Sequence, residues 1–345
     1  MLEAFEKEIL LRKDELCIGL ESIYFGGGSP SLMPPKSLER LIGLVGRYAH
    51  FNDNIEITLE ANPDDVSPQY LHECKSIGVN RLSLGIQSFH DTELKLINRI
   101  HDGSQALEAI ENTAVYFDNF SVDLIYGVPG SNLSSWESNL QQALTFAPCH
   151  LSCYALTVEP KTVLDQWVQE EKVMLLDEKL VKSQYDLLTD RLEEEHYENY
   201  EFSNFCKNGF QSVNNSNYWK GKAYVGIGPG AHSYDGKRYR SWNPSNNLKY
   251  LKSIREGHLP STGEHLKTHE AFNEFVMTGL RTIWGTSLHE IHRSFGQHYA
   301  DYLEKQATQH LIEQRLYWDG DALKVAKKAK FLTDGIAADL FMLKG

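Results

Sequence analysis

Backbone glycines, carboxylates and carboxamides recur in this sequence where a short β-branched or aromatic run gives way to a loop. Gly26, Gly27, Gly28 and Ser29 follow the run Ser22 to Phe25. Glu60 closes Ile55 to Leu59, Gln87 closes Arg81 to Ile86, Asp123 lies within Phe120 to Tyr126, and Tyr154 ends the run that starts at His150. Any one of these reads as a satisfied polar residue at a loop boundary. Five consecutive units placing a hydrogen-bonding group at the same end describe the rim of a polar ligand site. Three successive glycines permit positive φ and bring bare backbone up to a ligand, although taken alone the run is a tight turn. No Lys-Ser or Lys-Thr pair follows at P-loop distance, which sets phosphate cradling aside. Carbonyls of such a loop can instead accept from an ammonium group, as an amino-acid-like ligand requires.

Two other patterns point elsewhere. Gly226-Ile-Gly228-Pro-Gly230 has a dinucleotide-like spacing, but Pro229 interrupts it and no clear βαβ unit leads into it, so a compact loop presenting His232 is expected. Cys149 and Cys153 stand four apart on an expected strand, which spaces them by more than ~10 Å. Position 156 is Leu rather than a further thiolate, so the pair reads as buried structural thiols.

The elements that must position these groups follow from periodicity. Strand starts recur about every three dozen residues, each followed by a helical pattern, at Pro35 to Tyr48, Pro68 to Ile77, Asp91 to Ile97, Gly103 to Phe117 and Leu133 to Phe146. This is the signature of a parallel α/β sheet built from βα units. A barrel or open barrel is favoured, with a doubly wound sheet as the alternative. Residues 3 to 15 read as an amphipathic helix. Asn204 to Gly236 is rich in Asn, Gly, Tyr and Lys and is expected to be irregular, crossing a barrel mouth or bridging two domains. Helical spacing returns at Phe272, Phe275, Val276 and Leu280; short runs at Leu316 to Trp318 and Leu323 to Val325 and a last helix near Thr333 to Leu343 suggest a small helical or winged-helix-like domain.

Composition narrows the function classes. With 345 residues, 41% hydrophobic and 23% charged, the chain is an ordinary folded protein with room for a large α/β domain and a smaller one. A net charge of −13 without a basic stripe argues against nucleic acid as a partner. No apolar run approaches a membrane span. Five scattered cysteines (Cys17, Cys74, Cys149, Cys153 and Cys206) fit reduced thiols in a cytoplasm better than a disulfide framework.

The segments Tyr24-Phe-Gly-Gly-Gly-Ser-Pro-Ser31, Glu60-Ala-Asn-Pro63, Arg81-Leu-Ser-Leu-Gly-Ile-Gln-Ser-Phe89, Asn98-Arg99, Asp123-Leu-Ile-Tyr-Gly127, Tyr154-Ala-Leu-Thr-Val-Glu-Pro160 and Gly228-Pro-Gly-Ala-His232, on through Phe272-Asn-Glu274, Met277-Thr-Gly-Leu-Arg281 and Asp334-Gly-Ile336, form an ordered series across nearly the whole chain. In this the sequence resembles the radical S-adenosylmethionine proteins of the HemW type, heme-chaperone relatives of the oxygen-independent coproporphyrinogen III oxidases.

The resemblance implies an S-adenosylmethionine site at Gly27, Gly28, Ser29, Glu60, Gln87, Arg99, Asp123 and Ala155, with Arg99 taking the ligand carboxylate bidentately. It implies a partial (β/α) radical-SAM-type barrel over 1–205, an irregular segment at 206–260 over the barrel mouth, and a smaller C-terminal domain at 261–345. The family's first strand and its Cys-x3-Cys-x2-Cys loop, which hold a [4Fe-4S] cluster, are not found in this sequence, and it is expected to be N-terminally incomplete. HemW-like proteins carry His where this chain has Asn214, so heme is expected either to rely on Tyr218, His232 or hydrophobic contact with Trp219, or not to be bound. The implied function is cytoplasmic heme binding and delivery to acceptor proteins. Coproporphyrinogen III oxidation is the alternative, which leaves enzymatic status open, as are peripheral membrane association and a homodimer.

Overall fold

The computed structural model describes residues 1–17 and 19–343. In chain order it begins with helix α1 (Leu2–Leu11), strand β1 (Gly19–Phe25), α2 (Pro35–Val45), β2 (His50–Ala61), α3 (Pro68–Ser76), β3 (Arg81–Gln87), α4 (Asp91–Leu96) and α5 (Gly103–Tyr116). It continues with β4 (Phe120–Tyr126), α6 (Leu133–Thr145), β5 (His150–Ala155), α7 (Val163–Gln169), α8 (Glu178–Glu194), β6 (Glu198–Glu201) and β7 (Asn204–Cys206). One seven-stranded sheet has the order β1-β2-β3-β4-β5-β7-β6, parallel from β2 through β5 and antiparallel at β7 and β6. It curls into a half-barrel, the α/β architecture the βα repeats imply.

Residue alternation accounts for the two faces of this sheet. Leu82, Leu84 and Ile86 on β3, Val122 and Leu124 on β4 and Leu151 on β5 are fully buried, and α5, α6 and α8 contact these strands. The intervening positions are polar: Arg81 and Ser83, Ser121 and Asp123, His150 and Ser152. Successive side chains point to opposite faces, and a parallel sheet covered by helices on both sides would be apolar throughout. One face is therefore made for something polar.

The chain divides into two compact units. One comprises Ser22–Glu39 and Glu56–Gln211 and contains most of the large sheet; the other comprises Met1–Glu21, Arg40–Ile55 and Ser212–Gly345. The second unit adds α9 (Val213–Trp219), β8 (His232–Tyr234), β9 (Tyr239–Trp242), α10 (Asn247–Arg255), β10 (Thr262–His265) and α11 (Thr268–Leu280). After these come β11 (Thr286–Ser287), α12 (Leu288–Phe295), α13 (Gln297–Ile312), β12 (Leu316–Asp319), β13 (Ala322–Val325) and α14 (Thr333–Asp339).

Residues 204–236, expected to be irregular, thus hold β7, α9 and β8. Composition hid them because local capping and distant pairing define them: Ser212 Oγ accepts from Asn215 N at the start of α9, and β8 pairs antiparallel with β9. The order α11-β11-α12-α13-β12-β13, with sheet order β11-β13-β12, is winged-helix-like, as expected, and closes around Phe272, Val276, Ile291, Leu303 and Leu323. Helix α1 is fixed within its unit by Glu8, whose buried carboxyl accepts from Gly228 N (2.8 Å), Asn243 Nδ2 (2.7 Å) and Tyr250 OH (2.6 Å). A buried polar group is tolerated when its partners are supplied in this way.

Candidate functional site

At the carboxyl end of β1, Gly27 and Gly28 adopt φ of 74° and 71°, and a Cβ built on either would meet nothing within 4 Å. Together with exposed Ser29 they form a ledge of bare backbone. Gly27 N donates to Glu60 Oε2 (3.1 Å) and Tyr24 OH donates to Glu60 Oε1 (2.7 Å), so neighbouring strands hold this carboxylate at the end of β2. Burial, reinforced by Glu60, raises the Tyr24 hydroxyl above its ordinary value and keeps it a donor. Gly26 has no room for a side chain: a Cβ there would lie 2.4 Å from Tyr24 Cε1.

Gln87, at the end of β3, is buried and has φ of 67° beside a register shift between Leu84 and Gln87. Its Nε2 lies 2.9 Å from where a Cβ on Gly85 would stand, so the side chain is folded back over that glycine. A left-handed conformation costs an L-residue roughly 1–2 kcal/mol and persists only where surroundings enforce it. Asn98, with φ of 58°, shows the same feature immediately before Arg99. Arg99 Nη1 donates to Asn62 Oδ1 at 3.4 Å. Burial lowers the Arg99 guanidinium from its ordinary value, while Asp64 and Asp123 oppose that shift.

Asp123, midway along β4, accepts from Ser83 Oγ (3.1 and 3.0 Å to its two oxygens) and from Ser121 Oγ (3.0 Å). Burial raises its carboxyl above the ordinary value, against the hydroxyls of Ser152, Ser83 and Ser121 and the charge of Arg81. Ala155 ends β5 in register with Tyr126 and is exposed. Gly27, Gly28, Ser29, Glu60, Gln87 and Ala155 therefore stand at the carboxyl ends of adjacent strands, with Asp123 deeper on the polar face and Arg99 just beyond α4. Sequence reasoning passed over Tyr24, Asn62, Ser83, Ser121, Ser152 and His150. The signal for Ser83, Ser121, Ser152 and His150 was polar alternation within otherwise apolar strands, and Tyr24 and Asn62 stood only within the quoted family-like segments.

Tyr218, Trp219 and His232 belong to the other unit. The exposed His232 ring stacks on Trp242 (6.1 Å, 28°). It leaves the loop in which Gly228 and Gly230 have φ of 109° and 71°, the compact loop expected there. Tyr218 packs on Tyr224 (4.4 Å), and burial, with Tyr224, pushes its hydroxyl up to about 12. Trp219 lies under Arg281 at 5.5 Å.

Residues 5–143 match the Radical SAM superfamily. The chain is 34% identical over 281 residues to the heme chaperone HemW of Bacillus subtilis (strain 168), covering 81% of this chain and 74% of that protein. It is 31% identical over 328 residues to the heme chaperone HemW of Lactococcus lactis subsp. lactis (strain IL1403), covering 92% and 86%. The chain belongs to the HemW family. The solved coproporphyrinogen III oxidase HemN of Escherichia coli superposes with a TM-score of 0.83 over 99% of this chain and 83% of that one; at 20% identity it shows the fold.

Radical SAM membership implies S-adenosylmethionine and a [4Fe-4S] cluster. The open glycine ledge, with a carboxylate, a carboxamide and a guanidinium at the same sheet edge, fits the first of these. For the cluster, three thiolates have to converge. Among the described residues no group of three cysteine, histidine or acidic side chains could hold a metal. Cys74, Cys149, Cys153 and Cys206 are buried, with burial raising each thiol, and Cys17 is exposed. The described residues do not fit such a cluster.

Proposed function

We propose that this chain binds heme and passes it to acceptor proteins in the cytoplasm, with S-adenosylmethionine held on the half-barrel. The observation that carries the heme reading is His232: an exposed imidazole, stacked on Trp242, with neither ring nitrogen hydrogen-bonded among the described residues, in a chain whose relatives are named heme chaperones. An imidazole nitrogen is a strong axial donor to heme iron, whereas the carboxamide of Asn214 is a poor one. Tyr218 offers a phenol nearby in sequence, and Trp219 an apolar face.

On the half-barrel, Arg99 would take the carboxylate of S-adenosylmethionine, the carbonyls of Gly27, Gly28 and Ser29 its ammonium, and Gln87 and Asp123 its ribose hydroxyls. Glu60 keeps the glycine ledge in place and Ala155 borders the site from β5. Bound there, S-adenosylmethionine would present its sulfonium at the carboxyl ends of the strands; no cleavage step is assigned to it, since the described residues do not fit the cluster that would reduce it.

Hemin titration followed at the Soret band tests the heme reading. His232→Ala should weaken binding by about tenfold or more, the loss of one iron ligand, and shift the band. Tyr218→Phe and Trp219→Ala should have smaller effects. An identical band and affinity in all of them, or no Soret band at all, would remove it.

A further inference from the structure

Side chains from three strands converge on Asp123. Ser83 lies on β3, Ser121 two residues back on β4, and Ser152 on β5 level with Asp123 in the parallel register. Ser152 also hydrogen-bonds Asp123, and its hydroxyl is 3.2 Å from that of Ser121. Behind them His150 is fully buried, with Nδ1 2.8 Å from Ser121 Oγ and Nε2 2.9 Å from the Tyr200 hydroxyl.

Proton bookkeeping leaves one consistent arrangement. An ionised carboxylate only accepts, so Ser83 and Ser121 both donate to Asp123. Ser121 then has no hydrogen left for His150, so Nδ1 carries the proton and donates to Ser121, while Nε2 accepts from Tyr200. This requires a neutral imidazole, and burial, followed by the Arg81 charge, holds His150 well below its ordinary value.

A carboxylate on a strand is otherwise free to turn about two torsions. Here three hydroxyls fix its plane and occupy part of its roughly four lone-pair positions, while the side chain remains partly open to solvent. We propose that Ser83, Ser121 and Ser152, backed by His150 and Tyr200, are positioning residues that aim the Asp123 carboxylate at the ribose hydroxyls of an adenosyl ligand. The inference rests on the nucleoside reading of the half-barrel. Its physical content is preorganisation: the acceptor is held in its bound orientation before the ligand arrives.

Calorimetric titration of the full chain with S-adenosylhomocysteine, and with its counterpart lacking both ribose hydroxyls, separates the possibilities. Wild type should prefer the hydroxylated ligand by about tenfold or more, as expected for hydrogen bonds to a charged group. Ser83→Ala and Ser121→Ala should each cut that preference several-fold with little change for the deoxygenated ligand. Ser83→Thr should restore it, and Asp123→Ala should abolish it. Ser121→Ala strands the His150 N–H; if that variant does not fold, Ser83→Ala, whose hydroxyl bonds Asp123 alone, carries the test. Serine variants that weaken both ligands alike, or that keep the full preference, overturn the proposal. Failure of wild type to bind either ligand overturns the nucleoside reading itself, and this inference with it.

Discussion

Asp123 is a carboxylate kept beneath the rim of a half-barrel at a cost. Its raised carboxyl means the native protein retains that proton to higher pH than the unfolded chain does. Ionising it therefore costs native stability progressively as pH rises from the ordinary carboxylate value of about 3.9 through the native one. Asp123→Asn carries no such charge. The difference in Tm between this variant and wild type should shift in the variant's favour as pH is raised from about 4 to 8, while ribose-dependent affinity falls. A difference that stays constant across that range would contradict the shift. Glu60, Gln87 and Asp123 were legible in the sequence because each interrupts or ends an apolar run. Ser83, Ser121, Ser152 and His150 were not, because a serine in a strand reads as filler until the register sets three distant strands side by side.

At the scale of elements, the first five strands and their helices were visible because alternation and capping agree locally. Helix α5 begins with a reciprocal capping box between Asp102 and Gln105. Asp102→Ala should cost about 1 kcal/mol in urea unfolding. Strands β6 and β7 and the second unit's β8, β9 and β10 escaped notice, being only three or four residues long and defined by antiparallel partners elsewhere, whereas β12 and β13 were legible as short apolar runs. One segment is held by little beyond itself. None of residues 157–176 is buried, the hydrogen bonds formed within them are local, and Lys161 and Glu171, with φ of 69° and 56°, bracket α7. Limited trypsin digestion should cut first after Lys161 and Lys172 while leaving the sheet intact. First cuts within α5 or α6 would contradict that ranking.

For the whole molecule, the two proposals fall on different units: the adenosyl amino acid on the polar face of the half-barrel, and heme on the exposed His232 imidazole. Helix α1 belongs with the second through Glu8. Glu8→Ala strands three buried donors and should destabilise that unit by about 3 kcal/mol or more in chemical denaturation. The resemblance carried by the glycine, Glu60, Gln87 and Asp123 segments made the family legible from sequence, whereas the division into units was not, because each is assembled from separate stretches of chain. The measurement that bears most directly on the account is equilibrium dialysis of S-adenosylmethionine and of adenosine against wild type and Arg99→Ala. Saturable one-to-one binding of S-adenosylmethionine is expected, weakened at least about tenfold by Arg99→Ala, with adenosine affinity nearly unchanged because it lacks the carboxylate. No saturable binding by wild type, or equal losses for both ligands, would contradict it.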